Sequence, residues 1–432
     1  SSAASDVYKR QDLSFQRTYN SVGENSSVFG DGFNTPFEQY VSYDADSNIL
    51  YFAGDGKILQ FPYKNGSYQN VEDHKISIID DKVRIENTQT QETMDFDVYG
   101  MLTSITTKEG HKIVLRYDLK GRIQGVSVGG KEVDFEYYPD RMLVKAIHLP
   151  SGDKVQYEYN GRRLVRFIDA AGNQEEYHYD ENGKIRSITD RSGHDIANNT
   201  YDEEGRVLTQ EDGKGQKTTI SYSGNAATIT YPDQTTKTYR HDGDYKISTI
   251  TDENGDTSSY TYQNGRMVSK KDKSGTITYE YDSAGNLTKQ NNPDGTTLEY
   301  TYDDRQNLLM KKDSVGKTES YTYSAGNDVL SHTDNDGITT TYVYDAQHHV
   351  MKETDVFGAW KSYTYEGNQI KTITHSNGLV ITLTYDANGN LLKESDNNGR
   401  TTSYQYDHNN RLIQKTDALG YSEKYQYDGN GN

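Results

Sequence analysis

The stretch YQYDHNNRLIQKTDALGYSEKYQYD, residues 404–428, begins and ends with the same four letters and defines a unit that repeats after 21 residues. A tyrosine at the position of Tyr406 recurs along most of the chain at intervals of 19–22 residues. Repeats of this length are typical of stacked architectures, in which each unit buries apolar side chains only against its neighbours. The sixteen anchor positions are Tyr117, Tyr137, Tyr159, Tyr179, Tyr201, Tyr222, His241, Tyr262, Tyr281, Tyr302, Tyr323, Tyr344, Tyr365, Tyr385, Tyr406 and Tyr427.

Each repeat follows the pattern Y-x-Y-D-x-x-G-x-L-x-x-x-x-D-x-x-G-x-x-x-x, which predicts two short strands and two tight turns. Side chains alternate between the faces of a strand, so the two tyrosines of Y-x-Y share one face. An Asp at the head of a turn can accept hydrogen bonds from backbone N–H groups, and a Gly at its end can adopt positive φ. An aliphatic residue usually follows six positions after the anchor, at Ile123, Leu143, Ile185, Val207, Ile247, Leu287, Leu308, Val329, Val350, Leu391 and Leu412.

The composition describes an all-β protein. Only 32% of the 432 residues are hydrophobic, but 38 tyrosines supply apolar ring area that can be buried while the hydroxyl keeps a partner. The net charge of −19 argues against a nucleic-acid partner or an anionic membrane surface. The chain has no cysteine, which excludes disulfides and thiolate metal sites, and we expect no membrane-spanning segment because no long apolar run is present.

Stacked repeats of this kind predict one long antiparallel sheet of β-hairpins. Because strand twist accumulates and bare edges invite aggregation, we expect the sheet to spiral on itself. Within the sheet, each tyrosine should lie beside the aliphatic residue of a neighbouring strand, in a ladder of contacts worth about 0.2–1 kcal/mol each. Stability should therefore come from neighbours, with mild effects of single losses and fraying at a terminal repeat.

The segments YDENGKIRSITDRSG (179–193), YDANGNLLKESDNNG (385–399) and YDHNNRLIQKTDALG (406–420) resemble the YD repeats of Rhs proteins. The resemblance covers residues 106–432, which we interpret as the YD-repeat region. Upstream, RTYNS (17–21), FGDGFNTPFEQYVSYD (29–44) and DGKILQF (55–61) resemble the segment that leads into such repeats. Residues 12–105 are thus interpreted as a β-rich lead-in region, and residues 1–11 as a sequencing artefact containing DVYKRQ.

The resemblance implies a spiralling β-sheet wound into a hollow shell, as in bacterial Rhs and wall-associated polymorphic toxins, insecticidal toxin complexes and teneurins. In the toxins, the shell holds a C-terminal effector that an aspartyl self-cleaving segment releases. This sequence ends within a repeat at YDGNGN and contains no R-x-x-x-D-P-x-G stretch, so we interpret it as a fragment and do not transfer toxicity to it. The implied partner is the protein's own downstream C-terminal domain, and the implied location is secreted or cell-surface.

Several short motifs suggest sites but fit turns better. The stretch Gly316-Lys317-Thr318 lacks the first Gly and the strand-to-helix context of a phosphate-binding loop. The D-x-D-x-N of Asp44, Asp46 and Asn48 lacks the sixth-position Gly and twelfth-position Glu of a calcium loop. The turns at 252–256 and 334–337 could bind cations only weakly. We interpret His348 and His349 as surface turn residues and His241 as a packing substitute for Tyr.

We therefore predict no catalytic residue, no metal ligand, no cofactor and no enzyme activity, because no catalytic motif converges on one place. Two functions remain. The first is a structural shell segment that encloses or presents an effector. The second is a surface module whose tyrosine faces bind glycans, because tyrosines beside Asp and Asn can stack on sugars. Strict periodicity favours packing, since a binding site needs a few exceptional repeats.

Overall fold

The computed structural model describes residues 16–22, 26–71, 73–108 and 110–432, and this part of the chain contains strands and turns but no helix. The all-β prediction is confirmed. The proposed artefact at residues 1–11 lies outside the described residues.

The first nine strands are short and form four small antiparallel sheets, β1–β4, β2–β3, β5–β6–β7 and β8–β9. Their bounds are β1 (Thr18–Tyr19), β2 (Ser26–Ser27), β3 (Gly30–Asp31), β4 (Phe33–Asn34), β5 (Tyr40–Tyr43), β6 (Ile49–Phe52), β7 (Ile58–Phe61), β8 (Tyr63–Lys64) and β9 (Ser67–Tyr68).

The other thirty-five strands form one sheet in which every strand pairs antiparallel with its neighbours in sequence. Their bounds are β10 (His74–Ile79), β11 (Lys82–Asn87), β12 (Glu92–Phe96), β13 (Leu102–Thr106), β14 (Lys112–Tyr117), β15 (Ile123–Val128), β16 (Lys131–Tyr137), β17 (Val144–His148), β18 (Lys154–Asn160), β19 (Arg163–Ile168), β20 (Gln174–Tyr179), β21 (Ile185–Thr189), β22 (Asp195–Tyr201), β23 (Val207–Glu211), β24 (Lys217–Ser223), β25 (Ala226–Thr230), β26 (Thr236–His241), β27 (Ile247–Thr251), β28 (Thr257–Gln263), β29 (Arg266–Asp272), β30 (Gly275–Tyr281), β31 (Leu287–Asn291), β32 (Thr297–Tyr302), β33 (Leu308–Asp313), β34 (Thr318–Tyr323), β35 (Val329–Thr333), β36 (Thr339–Tyr344), β37 (Val350–Thr354), β38 (Trp360–Glu366), β39 (Gln369–His375), β40 (Val380–Tyr385), β41 (Leu391–Asp396), β42 (Thr401–Tyr406), β43 (Leu412–Thr416) and β44 (Ser422–Lys424).

The first turn differs in length between repeats. After Tyr117, the carboxylate Oδ1 of Asp118 accepts hydrogen bonds from the backbone N–H groups two and four residues later, at 2.9 and 3.0 Å. This closes a five-residue loop of the Asx type. After Tyr262, which is followed by Gln263, the strands extend by one pair, and Asn264 and Gly265 form a two-residue turn with positive φ at both positions.

A β-bulge precedes the anchor in most repeats. The strand register shifts between Thr301 and Tyr302, for example, and so places Tyr302 opposite Leu308, six residues later. The repeat at Tyr137 departs from the sequence expectation, because its anchor pairs with Val144 rather than with Leu143. Leu143 is nevertheless fully buried.

The repeat pattern begins earlier than residue 106. Phe96 lies opposite Leu102 after a register shift, as an anchor does, and Asp97 accepts hydrogen bonds from the N–H groups of Tyr99 and Met101. Phe96 is thus an anchor with phenylalanine in the tyrosine position. The sequence signal is F-D-V-Y-G-M-L, which matches the repeat pattern in every respect except the first letter.

The chain divides into two compact units. Unit 1 comprises Ser1–Gln216, Thr364–Thr374 and Gly378–Asn432, and unit 2 comprises Lys217–Tyr363 and His375–Asn377. The buried hydrophobic cluster lies wholly in unit 1, between Tyr19 and Ile188. In unit 2, Ala226 is the only hydrophobic residue that reaches full burial among the described residues.

Candidate functional site

The anchor tyrosines lie at the last or next-to-last position of a strand, apart from Tyr427, which follows β44. All fifteen are half-buried, so no anchor differs from the others in exposure class. Nine donate a hydrogen bond of 2.6–3.0 Å from the hydroxyl to a backbone carbonyl 14–16 residues earlier, which usually belongs to the preceding repeat's aliphatic residue. These pairs are Tyr117–Leu102, Tyr137–Ile123, Tyr179–Leu164, Tyr201–Ile185, Tyr281–Met267, Tyr302–Leu287, Tyr323–Leu308, Tyr385–Ile370 and Tyr427–Leu412.

We call these nine bonds the hydroxyl ladder, and burial of the rings keeps the anchors neutral. Burial raises the pKa of Tyr302 and of Tyr344 to about 12, and raises the pKa of Tyr179 further. A neutral phenol donates its proton to a carbonyl oxygen without a buried charge. The anchors therefore act as hydrogen-bonded links between adjacent repeats.

A second aromatic position, two residues before the anchor, is where the repeats differ most. In the first repeats it holds Leu115, Phe135, Tyr157 and Tyr177, all of which are buried. In unit 2 it holds seven consecutive tyrosines that are only half-buried, and we call these the tyrosine stripe. The stripe consists of Tyr239, Tyr260, Tyr279, Tyr300, Tyr321, Tyr342 and Tyr363.

The lead-in region covers this position in the first repeats. The ring of Phe29 packs edge-on against Tyr157, with centroids 5.1 Å apart, and Phe33 packs edge-on against Tyr177 at 5.9 Å. Both phenylalanines are fully buried. The residues two positions before the anchors thus form a surface on which other aromatic side chains can pack. In the first repeats, the lead-in region covers this surface.

Arg17 completes this contact. Its guanidinium lies 4.9 Å from the ring centroid of Tyr157 and 5.2 Å from that of Phe167, and one nitrogen donates to the Tyr177 hydroxyl at 3.4 Å. The side chain is 1% exposed. A guanidinium surrounded by ring faces gains cation–π attraction that grows as water is excluded. The motif RTYNS (17–21) therefore begins with the residue that attaches the lead-in region to the repeats.

A cavity of about 410 Å³ lies where the lead-in region meets the first repeats, lined in part by Glu38, Tyr40, Ile58 and Met142. Glu38 Oε1 accepts a hydrogen bond of 2.7 Å from the Val28 N–H. Burial raises the pKa of Glu38 to about 7, and the Val28 bond only partly opposes this. The carboxyl group is thus largely protonated in acid and charged in alkaline solution.

The motifs singled out in the sequence are turns. Gly316 donates to the Asp313 carbonyl and has a φ of 88°, so it closes a D-x-x-G turn. Asp44 accepts hydrogen bonds from the N–H groups of Asp46 and Asn48, as Asp118 does from the N–H groups of its own five-residue loop. Among the residues that the structure describes, no three His, Cys, Asp or Glu side chains are grouped so as to hold a metal ion.

The two adjacent histidines differ from the surface residues we predicted. His348 takes the Gly position of its turn with a φ of 67°, and its Nδ1 lies 2.7 Å from Asp328 Oδ1. His349 Nδ1 lies 3.0 Å from Asp345 Oδ2, and its side chain is only 9% exposed. Both pair with turn carboxylates, and the prediction of a surface position is wrong for His349. His241 fills its anchor position and stacks on Tyr245 at 5.2 Å.

Comparison with protein-family models now identifies the repeats. The model described as RHS Repeat matches residues 363–401, 385–420 and 406–432, and the model described as Teneurin YD-shell matches residues 152–356. The chain belongs to the Rhs/YD-repeat family. A third model, a domain of unknown function (DUF6531), matches residues 6–61 and so covers much of the lead-in region of this YD-repeat protein.

A solved structure agrees with this fold. The crystal structure of TcdB2-TccC3-Cdc42 superimposes with a TM-score of 0.50 at 12% identity, and covers 96% of this chain and 30% of that one. The crystal structure of TcdB2-TccC3 gives a TM-score of 0.48 at 12% identity, and covers 93% of this chain and 26% of that one. The YD-repeat chain thus spans less than a third of either. No curated protein sequence matches it.

The family and the fold are those of structural, shell-building repeats. The described residues include no helix with the length and apolar character needed to cross a membrane.

Proposed function

We propose that this chain is a wall segment of a secreted or cell-surface YD-repeat shell that encloses or presents an effector domain of the same gene product. The observation that carries the proposal is the contrast at the stripe position. In the first repeats, a segment of the chain itself covers this position with Phe29, Phe33 and Arg17. In unit 2, the equivalent tyrosines remain half-buried.

The stripe is suited to non-specific contact with a polypeptide. Tyrosine rings offer apolar faces with little loss of conformational entropy, and each hydroxyl can donate or accept a hydrogen bond. Seven nearly equivalent rings form a repetitive surface, whereas a small-molecule pocket gathers a few different polar groups around one point. These features favour a surface that holds a chain rather than one that performs chemistry.

Solution scattering tests the shell. A compact globule of this length has a radius of gyration of about 22 Å, so a wall around a space must give a clearly larger value. A value at or below that of the globule contradicts the shell. The enclosed effector is tested separately, by limited proteolysis of the complete gene product: its effector domain should resist protease until unit 2 is cleaved, and equal cleavage of enclosed and isolated effector contradicts enclosure.

Carbohydrate binding by the same tyrosines is the alternative, because the half-exposed rings of the stripe could stack on sugars. It predicts glycan-array signals that Tyr300→Ala and Tyr321→Ala abolish, while Tyr425→Ala, outside the stripe, does not. Absence of any glycan signal removes this alternative and leaves the shell proposal unaffected.

A further inference from the structure

Two stretches of the repeat region that are about 240 residues apart in sequence lie against each other within unit 1. The turns after four consecutive anchors, Tyr365, Tyr385, Tyr406 and Tyr427, meet four consecutive second turns of the first repeats. We call this contact the seam. Each of the four C-terminal turns carries an asparagine three residues after its anchor, namely Asn368, Asn388, Asn409 and Asn430.

The asparagines make the same contact in successive repeats. Asn409 Oδ1 accepts a hydrogen bond of 3.1 Å from the Ala171 N–H, and its Nδ2 donates to Asp169 Oδ2 at 2.8 Å. Asn430 does the same one repeat later, accepting from the Arg191 N–H at 3.1 Å and donating to Asp190 Oδ2 at 2.6 Å. The asparagine thus accepts from a backbone N–H of the opposite turn and donates to the second carboxylate oxygen of the Asp that caps that turn.

Asn388 shows what happens when the opposite turn lacks the carboxylate. It accepts a hydrogen bond of 3.0 Å from the Ser151 N–H, but the turn opposite is headed by Leu149. Its Nδ2 donates instead to Asn410 Oδ1, in the next turn of its own stretch, at 2.8 Å. The Asn–Asp pair is therefore a feature of the seam that particular turns possess and others lack.

Turn lengths also match across the seam. Gly129 and Gly130 form the two-residue turn of the first stretch, and it meets Gly367 and Asn368, the two-residue turn of the second. The next three turns are five-residue loops on both sides. In both stretches, one two-residue turn is thus followed by three five-residue loops. A shift by one repeat in either direction would oppose a short turn to a long one.

We propose that this seam is a recognition surface that sets which repeat lies against which, with the Asn–Asp pairs and the matched turn lengths as its specificity determinants. Its partner is another run of YD turns that carries asparagine three residues after the anchor. Close approach is part of the fit, because a Cβ on Gly429 would lie 2.2 Å from the Arg191 carbonyl oxygen.

Exchange of the paired groups tests this proposal. Asn409→Asp places two carboxylates together, and Asp169→Asn places two amide groups together. Each single change should therefore raise the amide hydrogen-exchange rate of the 169–173 loop roughly tenfold. The double variant restores one donor opposite one acceptor and should return exchange towards the wild-type rate. Asn182→Asp is the control, since Asn182 has the same position after its anchor but is exposed.

Disulfide cross-linking tests which turns face each other across the seam. The chain has no native cysteine, so only the introduced cysteines can form a disulfide. A Cβ on Gly129 would lie 2.9 Å from Asn368 Cβ, so Gly129→Cys with Asn368→Cys should cross-link on oxidation. Gly129→Cys with Asn388→Cys, one repeat out of register, should not. Additive exchange effects in the double variant, or equal cross-linking of the two cysteine pairs, would overturn the proposal.

Discussion

The repeats at the start of unit 1 and those of unit 2 share one pattern, yet different forces stabilise them. In the first repeats, the stripe position is buried beneath Phe29, Phe33 and Arg17. In unit 2, the same position holds half-buried tyrosines, and stability must come from strand pairing, capped turns and the hydroxyl ladder. One sequence pattern therefore builds a sheet in both places, but among the described residues a buried hydrophobic cluster forms only where the lead-in region packs on the first repeats.

The largest expected effect comes from the core. Phe33→Ala should lower the free energy of unfolding of the first repeats by about 3–5 kcal/mol, because it opens a cavity beside Tyr19 and Tyr177. Tyr321→Ala, at the stripe in unit 2, should cost less than half as much, since that ring is only half-buried. Denaturant unfolding followed by segment-resolved hydrogen exchange measures both, and equal losses would contradict the comparison.

The next effect depends on pH. The pKa of Glu38 is raised to about 7 in the folded protein, so its burial costs most when the group is charged. Stability of the lead-in contact should fall as pH rises from about 4.5 to above 7, by at most about 3 kcal/mol.

Glu38→Gln should remove this dependence and stabilise the protein at pH 8, while the exposed control Glu203→Gln should not. Thermal melts between pH 4.5 and 8.5 decide the matter. A Glu38→Gln protein that loses stability in parallel with the wild type would show that another group titrates.

The hydroxyl ladder should matter in both regions, but more where water is excluded. Tyr179→Phe leaves the Leu164 carbonyl, now 2.6 Å from the hydroxyl, without its donor, and should cost about 1–2 kcal/mol. Tyr323→Phe removes an equivalent bond of 2.9 Å in unit 2, where water can replace it, and should cost under about 1 kcal/mol. Equal costs would indicate that burial does not govern the ladder.

The smallest difference between regions is expected at the turns. Asp212 in unit 1 and Asp252 in unit 2 each accept two backbone hydrogen bonds of 2.9–3.0 Å with the same loop geometry. Replacing either by Ala should cost about 1 kcal/mol, because the interaction is local. Chemical denaturation of the two variants tests this, and a difference well above 1 kcal/mol would show that the turns depend on their surroundings.

The repeat fold could be predicted from the sequence because its signals are local. The spacing of Tyr, Asp, Gly and the aliphatic residue fixes strands, turns and pairing order without reference to distant residues. Phe96 departs from the pattern only in holding phenylalanine where the other anchors hold tyrosine or histidine, and Asp97, Gly100 and Leu102 complete the pattern around it. Phenylalanine can fill the anchor position, since most of the contact is made by the ring.

The contacts between distant segments could not be predicted in the same way. Arg17 meets Tyr157 and Phe167 across about 140 residues, and no periodicity links them. The seam does have a sequence signal, because asparagine recurs three residues after each of the last four anchors. This asparagine lies at a variable position of the repeat pattern. A consensus over all repeats does not show a residue that is confined to four successive repeats.

Hydrogen exchange of the whole chain tests the central claim most directly. In the wild type, the backbone amides of β18 to β21 should exchange more slowly than those of β28 to β32. In a Phe29→Ala, Phe33→Ala double variant, the amide exchange rates of β18 to β21 should rise to those of β28 to β32. The exchange rates of β28 to β32 should stay unchanged. Uniform exchange of both regions in the wild type, or an equal rise in both in the variant, would contradict the account.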